Sequence, residues 1–243
     1  MKPLKILIID NNRMESSFGA KNLVHWSLKM APTGSEVLVR RAPGADLPAV
    51  TEKFDAIVIS GSMTSCLDLS EAWVAPFDDF VSEHLRQKTP ILGVCYGHQT
   101  LVRCLAKMKG HVPMLRVSPK AEFGWQKIRI TAESPLFEGL KGEFVTYESH
   151  FEEVHGLPSG TKKIAETDHC EFQGFEMHSQ PVYGIQFHPE YTIQEGEESL
   201  ANKIKKGVPS EWIFNPGKGE KLYDENVGKV IFGNFFRIAS GRK

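Results

Sequence analysis

The sequence predicts an α/β protein with a mostly parallel central sheet, helices on both of its faces, and a smaller antiparallel or mixed set of strands extending it. Three observations lead there. Short runs of aliphatic and β-branched residues without polar alternation, such as Ile6-Leu7-Ile8-Ile9 and Ala56-Ile57-Val58-Ile59, read as strands buried on both faces. Helix-like amphipathic stretches separate them, which is the alternation that builds a parallel sheet. From Lys127 the texture changes to shorter strands in which apolar and polar residues alternate, as in antiparallel pairs with one solvated face.

In chain order, the first strand is predicted from Leu4 to Asp10, a helix near Ser17 to Met30, and a second strand from Glu36 to Arg40. A third strand follows from Ala56 to Ser60, a helix from Ala75 to Gln87, a strand from Ile91 to Val94, and a helix opening at Tyr96. The alternating strands come next: Lys127 to Ile130, Phe144 to Tyr147, Lys163 to Ala165, Gln173 to Glu176 and Val182 to Phe187. Between Glu195 and Asn226 the chain turns polar and rich in Gly, Pro and Lys, and the amphipathic run Val227 to Ala239 predicts a closing helix. With no internal repeat, linker or second core, residues 1–243 are expected to form one domain.

Composition narrows the function. The 243 residues are 41% hydrophobic and 24% charged, enough chain to bury a sizeable core. Lys+Arg 29 against Asp+Glu 30 leaves a net charge of −1, so no broad positive field is available to hold a phosphate backbone or an anionic membrane, and neither nucleic acid nor membrane is expected as a partner. The apolar runs are far shorter than the roughly 20 residues of a spanning helix. Met1 to Lys5 lead directly into a strand without a secretory h-region, from which a cytoplasmic protein is expected. Four cysteines, Cys66, Cys95, Cys104 and Cys170, form no C-x-x-C pair, so neither a disulfide framework nor a thiolate zinc site is suggested.

The densest chemical signal is Gly93-Val94-Cys95-Tyr96-Gly97-His98-Gln99. A buried strand ends at Val94 and a helical pattern begins at once, with a glycine two residues to either side of Cys95. This is the cysteine form of the nucleophile elbow, in which small flanking residues permit a sharp strand-to-helix turn that lifts the nucleophile above the sheet. The helix N-terminus favours thiolate over thiol and offers N–H groups to an oxyanion. A thiolate nucleophile needs a base and a group to orient the base. His188-Pro189-Glu190 supplies both: on an extended segment residues two apart project to the same side, and Pro189 keeps the segment extended.

With these two segments the chain resembles the class I, triad-type glutamine amidotransferases, most closely the glutaminase domain of GMP synthase and its free-standing relatives. Ile59-Ser60-Gly61-Ser62, Glu122-Phe123-Gly124-Trp125, Leu136-Phe137-Glu138-Gly139-Leu140 and Ser149-His150-Phe151-Glu152-Glu153-Val154 fit in order and spacing, and Asn234-Phe235 resembles the family's ending. The resemblance implies a flavodoxin-like sheet and hydrolysis of the side-chain amide of L-glutamine through a cysteine thioester. By it, Cys95 is the nucleophile, His188 the general acid/base and Glu190 the group that holds the imidazole. The backbone of Gly61, Ser62 and Tyr96 forms the oxyanion hole, and Gln99, Ser149 and His150 hold the glutamine's α-amino and α-carboxylate groups. A polar amide at Gln99, one helical turn past the cysteine, is expected to face the same mouth. No cofactor and no metal is implied, and the ammonia goes to a separate synthetase.

Two departures from the family stand out. Its loop usually reads Gly-Gly-Pro, where this chain has Gly61-Ser62-Met63, and the polar segment of about 195–226 is longer than the family's connection to its last helix. It carries Trp212-Ile213-Phe214-Asn215-Pro216, which must pack on something. Gly217-Lys218-Gly219-Glu220-Lys221 lacks the spacing of a phosphate loop and reads as a surface turn. His169, Cys170 and His178 match no common metal spacing. His25, His84 and His111 are expected at the surface, Lys203, Lys205 and Lys206 on a solvated helix face, and Trp26, Trp73 and Trp125 in or beside the core, with Trp125 also a candidate to line the mouth. The competing functions are a γ-glutamyl peptidase with the same triad and a non-catalytic regulatory subunit that keeps the fold.

Overall fold

The structure, a computed structural model, describes residues 2–13 and 18–241; Met1, and Ser17 where the predicted first helix begins, lie outside them. Five strands form a parallel sheet in the order β2-β1-β3-β4-β9: β1 Lys5–Asp10, β2 Glu36–Arg41, β3 Ala56–Ile59, β4 Ile91–Val94 and β9 Val182–Ile185. Their side chains alternate between two cores, as a pleated strand requires. Ile6, Ile8, Ala56 and Val58 enter one together with helices α1 Phe18–Met30 and α6 Glu225–Ala239. Leu7, Ile9, Ile57 and Ile59 enter the other, under α2 Val74–Arg86 and α3 Tyr96–Met108. Burial on both faces is why β1, β3 and β4 lack polar alternation; β9, read from the sequence among the alternating strands, pairs parallel with β4.

Beyond β9 the sheet turns antiparallel through β8 Gly174–Met177, β7 Thr161–Glu166, β5 Leu115–Ile130 and β6 Glu143–Val154. The predicted short strands at Lys127 and Phe144 are only parts of β5 and β6, which run for 16 and 12 residues. Pro119 and a register shift between Val117 and Glu122 interrupt the β5 pattern. So does Gly124, at φ +119, where a Cβ would lie 2.0 Å from the Phe214 oxygen; that contact admits the two-residue strand β10 Ile213–Phe214 in parallel pairing.

The segment expected to be merely polar holds most of a helix, α4 Ile193–Lys205, and a short one, α5 Gly219–Leu222. The first begins with a capping box: Thr192 Oγ1 accepts from the Glu195 N–H, and Glu195 Oε2 accepts from the Thr192 N–H at 3.0 Å, satisfying two donors that a helix start leaves open. Its residues Gly196 and Leu200 are its buried ones, too few to give a helical stripe. Leu200, Trp212, Ile213 and Tyr223 pack with Trp125 and Tyr147 in a third apolar cluster over β5 and β6. Two further corrections concern single residues. His84 is fully buried, with Phe54 and Phe80 around its ring and Thr89 Oγ1 at 3.1 Å. Trp125 is buried and binds Glu197 Oε1 at 2.9 Å instead of lining the mouth. Trp26 and Trp73 are core residues as expected, and no helix among the described residues is long and apolar enough to cross a membrane.

The turn from β4 into α3 is set by backbone contact. A Cβ on Gly93 would lie 2.5 Å from the Gly97 carbonyl group, and one on Gly97 would lie 2.6 Å from the Ile59 oxygen. Neither neighbour is a flexible side chain, so Gly93→Ala and Gly97→Ala are expected to lose at least the roughly 1–3 kcal/mol of ordinary overpacking. Gly44→Ala, whose nearest contact is 3.8 Å, should stay within about 0.5 kcal/mol of wild type. Urea unfolding of the three variants checks this; equal stabilities would show that the turn tolerates a side chain.

Candidate active site

Three parallel strands deliver their C-terminal ends to one place, the usual location of a site in an open α/β sheet. β4 delivers Cys95, whose φ of 52° and ψ of −103° put a non-glycine residue in sparsely populated backbone space. The conformation is held from both sides: the Cys95 N–H donates to the Ile185 oxygen at 2.8 Å and the Cys95 oxygen accepts from the Gln99 N–H at 3.1 Å. Tyr96 opens α3, so its N–H is one of the first-turn donors without an intrahelical acceptor.

The chain past β9 delivers His188 and Glu190. The His188 N–H donates to the Tyr147 oxygen at 2.8 Å, anchoring the segment to β6. His188 Nδ1 lies 2.7 Å from Glu190 Oε1, which leaves Nε2 for the other side of the ring. Both side chains are almost completely buried. Burial works against a charged imidazole, but Glu190 and Cys95 outweigh it and raise the His188 pKa well above its ordinary value. Tyr191, one position beyond the motif, packs on the His188 ring and stacks on Tyr147 at 5.1 Å; sequence reasoning passed over it.

Past β3 comes Gly61. A Cβ there would meet His188 Cε1 at 3.2 Å and Cys95 Cβ at 3.5 Å, so this backbone passes directly beside both reactive groups. The loop is pinned to the end of β1. The Gly61 oxygen accepts from Asn12 Nδ2 at 3.1 Å and from Ser60 Oγ at 2.8 Å. Ser62 Oγ donates to the Asn11 oxygen at 2.7 Å and accepts from the Thr64 N–H at 3.0 Å. The serine hydroxyl thus ties down the Gly61-Ser62-Met63 turn. Across the trans peptide the Ser62 N–H points opposite to the occupied Gly61 carbonyl.

The remaining predicted residues separate. The Ser149 carbonyl accepts from the Cys95 sulfur at 3.9 Å, and Ser149 lines the cavity above it. Gln99 does not face that mouth: its Nε2 donates inward to the Glu152 oxygen at 2.8 Å and to Gln186 Oε1 at 3.0 Å. His150 also points inward, as strand alternation demands of a neighbour of Ser149, with its Nε2 3.1 Å from Glu122 Oε2. The lysines are corrected too: Lys203 borders the cavity instead of a solvated face.

Behind the site lies a cluster that sequence reasoning did not find. Glu122, His150 and Cys170 bring their ligand atoms within 4.8 Å of one another. Glu122 is saturated with hydrogen bonds, from Gln126, Thr167 and Gln173 at 3.1, 2.8 and 2.7 Å as well as His150, which leaves it little capacity for a metal. Glu148 beside it is fully buried, with neither carboxylate oxygen hydrogen-bonded among the described residues. Burial first, and then the nearby Glu122, raises its pKa well above 4.5.

The cavity over Cys95 measures about 850 Å³. The Gly61–Ser65 loop forms one wall, and Ser199, Asn202, Lys203 and Lys206 from α4 and its end form another.

The sequence model of the family "Glutamine amidotransferase class-I" matches residues 19–206. A glutamine-hydrolyzing GMP synthase of Thermosipho africanus is 37% identical over 186 residues, 73% of this chain but 34% of that protein; the chain thus spans about a third of that relative's length. A glutamine-hydrolyzing GMP synthase subunit of Archaeoglobus fulgidus is 30% identical over 207 residues, 83% of this chain and 98% of that one. Among solved structures, a glutamine amido transferase from Methylobacillus flagellatus superposes with a TM-score of 0.80 at 18% identity, covering 100% of this chain and 96% of that chain, which bears on the fold alone.

The buried Glu148 has a measurable consequence. It holds its proton more tightly folded than unfolded, so the stability this gives is complete below about pH 4.5 and is lost as the pH rises toward its raised native value. Each pH unit of that interval is worth about 1.4 kcal/mol, or about 3–5 °C at this chain length. Glu148→Gln should therefore flatten the fall of Tm between pH 5 and 8 and melt above wild type at pH 8. Parallel Tm curves would mean that Glu148 carries no perturbed proton.

Proposed function

Since the chain belongs to the class I glutamine amidotransferase family, we propose that it hydrolyses the side-chain amide of L-glutamine at Cys95 and releases ammonia to a separate synthetase. The observation that carries this reading is the convergence of the Cys95 elbow, the His188–Glu190 pair and the Gly61 backbone at one end of the parallel sheet. Residues 1–243 are read as one glutaminase domain, and the activated acceptor as the business of the partner. The Archaeoglobus fulgidus relative is named as one subunit of its enzyme, which supports a division between chains.

Paired with the imidazolium of His188, the Cys95 sulfur attacks the amide carbon. The carbonyl oxygen becomes an oxyanion and accepts from the Tyr96 N–H and the Ser62 N–H, donors fixed before the reaction and therefore costing little reorganisation. His188 gives its proton to the leaving nitrogen, ammonia departs, and a γ-glutamyl thioester remains on Cys95. Neutral His188 then takes a proton from water as the water attacks the thioester, glutamate leaves, and the proton returns the pair to its starting state. Glu190 fixes the ring through Nδ1 and steadies its charged form.

The cavity volume of about 850 Å³ lies near the upper end of small-molecule sites and exceeds what glutamine fills. This favours a second reading with the same triad, hydrolysis of γ-glutamyl peptides or conjugates, in which an amine leaves in place of ammonia.

Ammonia and glutamate release by the purified protein, on glutamine and on a panel of γ-glutamyl dipeptides, tests both. Cys95→Ala should be inactive on every substrate that wild type hydrolyses. Turnover of the dipeptides alone would replace the glutaminase reading with the peptidase one, and turnover by Cys95→Ala would remove both. Glu190→Gln should lower kcat by roughly 10²- to 10⁴-fold. Because Glu190 helps raise the His188 pKa, its loss should also move the alkaline limb of the pH profile to lower pH. An alkaline limb left in place would separate Glu190 from the imidazole's charge.

A further inference from the structure

The wall of the cavity built by α4 carries a cation with no carboxylate partner among the described residues. Asn202, Lys203 and Lys206 follow Ser199 at helical spacing and share one face toward the cavity. The opposite side of α4 is fixed: a Cβ on Gly196 would lie 2.7 Å from Trp125 Cζ2, and Leu200 is buried on the Trp125–Tyr147 cluster. Lys203 Nζ sits 4.6 Å from the ring centres of both Phe123 and Phe151. Two rings hold the ammonium in place, yet among the described residues no carboxylate pairs with it and no hydrogen bond satisfies it.

Nearby acids are already engaged. Glu71 of the cavity rim pairs with Arg13 at 2.9 Å, Glu190 with His188, and Asp68 with Ser70. Lys203 is thus a partly desolvated charge facing a space meant for ligand. Burial first, and then the like charge of Lys206, lowers its pKa, while Cys95 acts in the opposite sense; the lysine and the sulfur feel each other across the same cavity.

The reach fits a γ-glutamyl group. Phe151 lies two residues beyond Ser149 on the same face of β6, about 6.6 Å along the strand, and the Ser149 oxygen lies 3.9 Å from the sulfur. In a γ-glutamyl group four C–C bonds, about 5 Å end to end, separate the attacked carbon from the α-carboxylate carbon. The inward-facing Gln99 and His150 leave that carboxylate without their side chains. We propose that Lys203 binds the α-carboxylate of the γ-glutamyl substrate and so selects for it, a role supplied by α4.

This assignment rests on the hydrolase reading, and the test separates the two. Cys95→Ala protein, with and without Lys203→Met, is titrated calorimetrically with L-glutamine and with L-glutaminamide, in which the α-carboxylate is a neutral amide. The expected result is that Cys95→Ala prefers glutamine by about 10- to 100-fold, and that Lys203→Met brings the two ligands to within about twofold of each other. Lys203→Arg, which keeps a cation over the rings, should retain part of the preference. A preference untouched by Lys203→Met overturns the assignment and leaves the hydrolase reading standing. Absence of glutamine binding overturns both. Lys203-dependent binding in a protein whose wild type never turns glutamine over sustains the assignment while the hydrolase reading fails. In a parallel titration, an effect of Lys203→Met on γ-glutamylglycine against γ-glutamylglycinamide, with none on glutamine, would move the lysine to the outer carboxylate and overturn the assignment as stated.

Discussion

Everything at this site depends on the backbone of one residue. At φ 52° and ψ −103°, Cys95 holds a conformation of the kind that costs an L-residue of order 1–3 kcal/mol, and it persists only because its surroundings leave no alternative. The preceding strand lies between β3 and β9 in parallel pairing, the Cys95 N–H is held by the Ile185 oxygen, and Gly93 and Gly97 allow α3 to start in contact with the strand it leaves. Relaxing the strain would require α3 to move away from the sheet and give up a face that buries Leu101, Val102 and Leu105. The strain is thus secured by hydrophobic burial, and its product is a sulfur at the mouth of a cavity with the first N–H groups of a helix beside it.

The same rigid frame explains how charge is tolerated so far from water. His188 and Glu190 are buried together, and a buried imidazolium is acceptable only with an anion in contact. One carboxylate serves it directly, while the sulfur faces it from the other side. A second layer lies behind. Glu122 draws four donors to itself, which satisfies a buried polar group, whereas at Glu148, whose oxygens lack such donors among the described residues, burial and the nearby Glu122 raise the pKa.

What could be read in the sequence follows from where water meets the chain. β1, β3 and β4 were legible because burial on both faces removes polar alternation, as in Ile6-Leu7-Ile8-Ile9, whereas β9, which pairs parallel with β4, was read among the alternating strands; the elbow was legible because close backbone packing demands glycine at both flanks. α4 was not, since only Gly196 and Leu200 are buried; the signal available was Thr192-Ile193-Gln194-Glu195, a capping box. β5 was shortened in the reading because a Pro, a positive-φ glycine and a register shift break the alternation that marks a strand. The directions of Gln99 and His150 were also out of reach, because the partners that turn them inward, the Glu152 oxygen and Glu122, are distant in sequence.

These differences divide the site into two ends with different physics. At the reacting end, Cys95, Tyr96, Gly61 and Ser62 contribute backbone geometry, which tolerates almost no change without unseating a strand. At the outer end the groups are side chains on α4, an element joined to the sheet through Trp125, Tyr147 and a few aliphatic contacts. Replacing Asn202, Lys203 or Lys206 alters charge and shape at the mouth while leaving the buried face of that helix intact. A division of this kind lets one hydrolytic apparatus serve ligands that differ beyond the γ-carbonyl. Selectivity in this chain is therefore to be sought in α4 and the chemistry in the elbow.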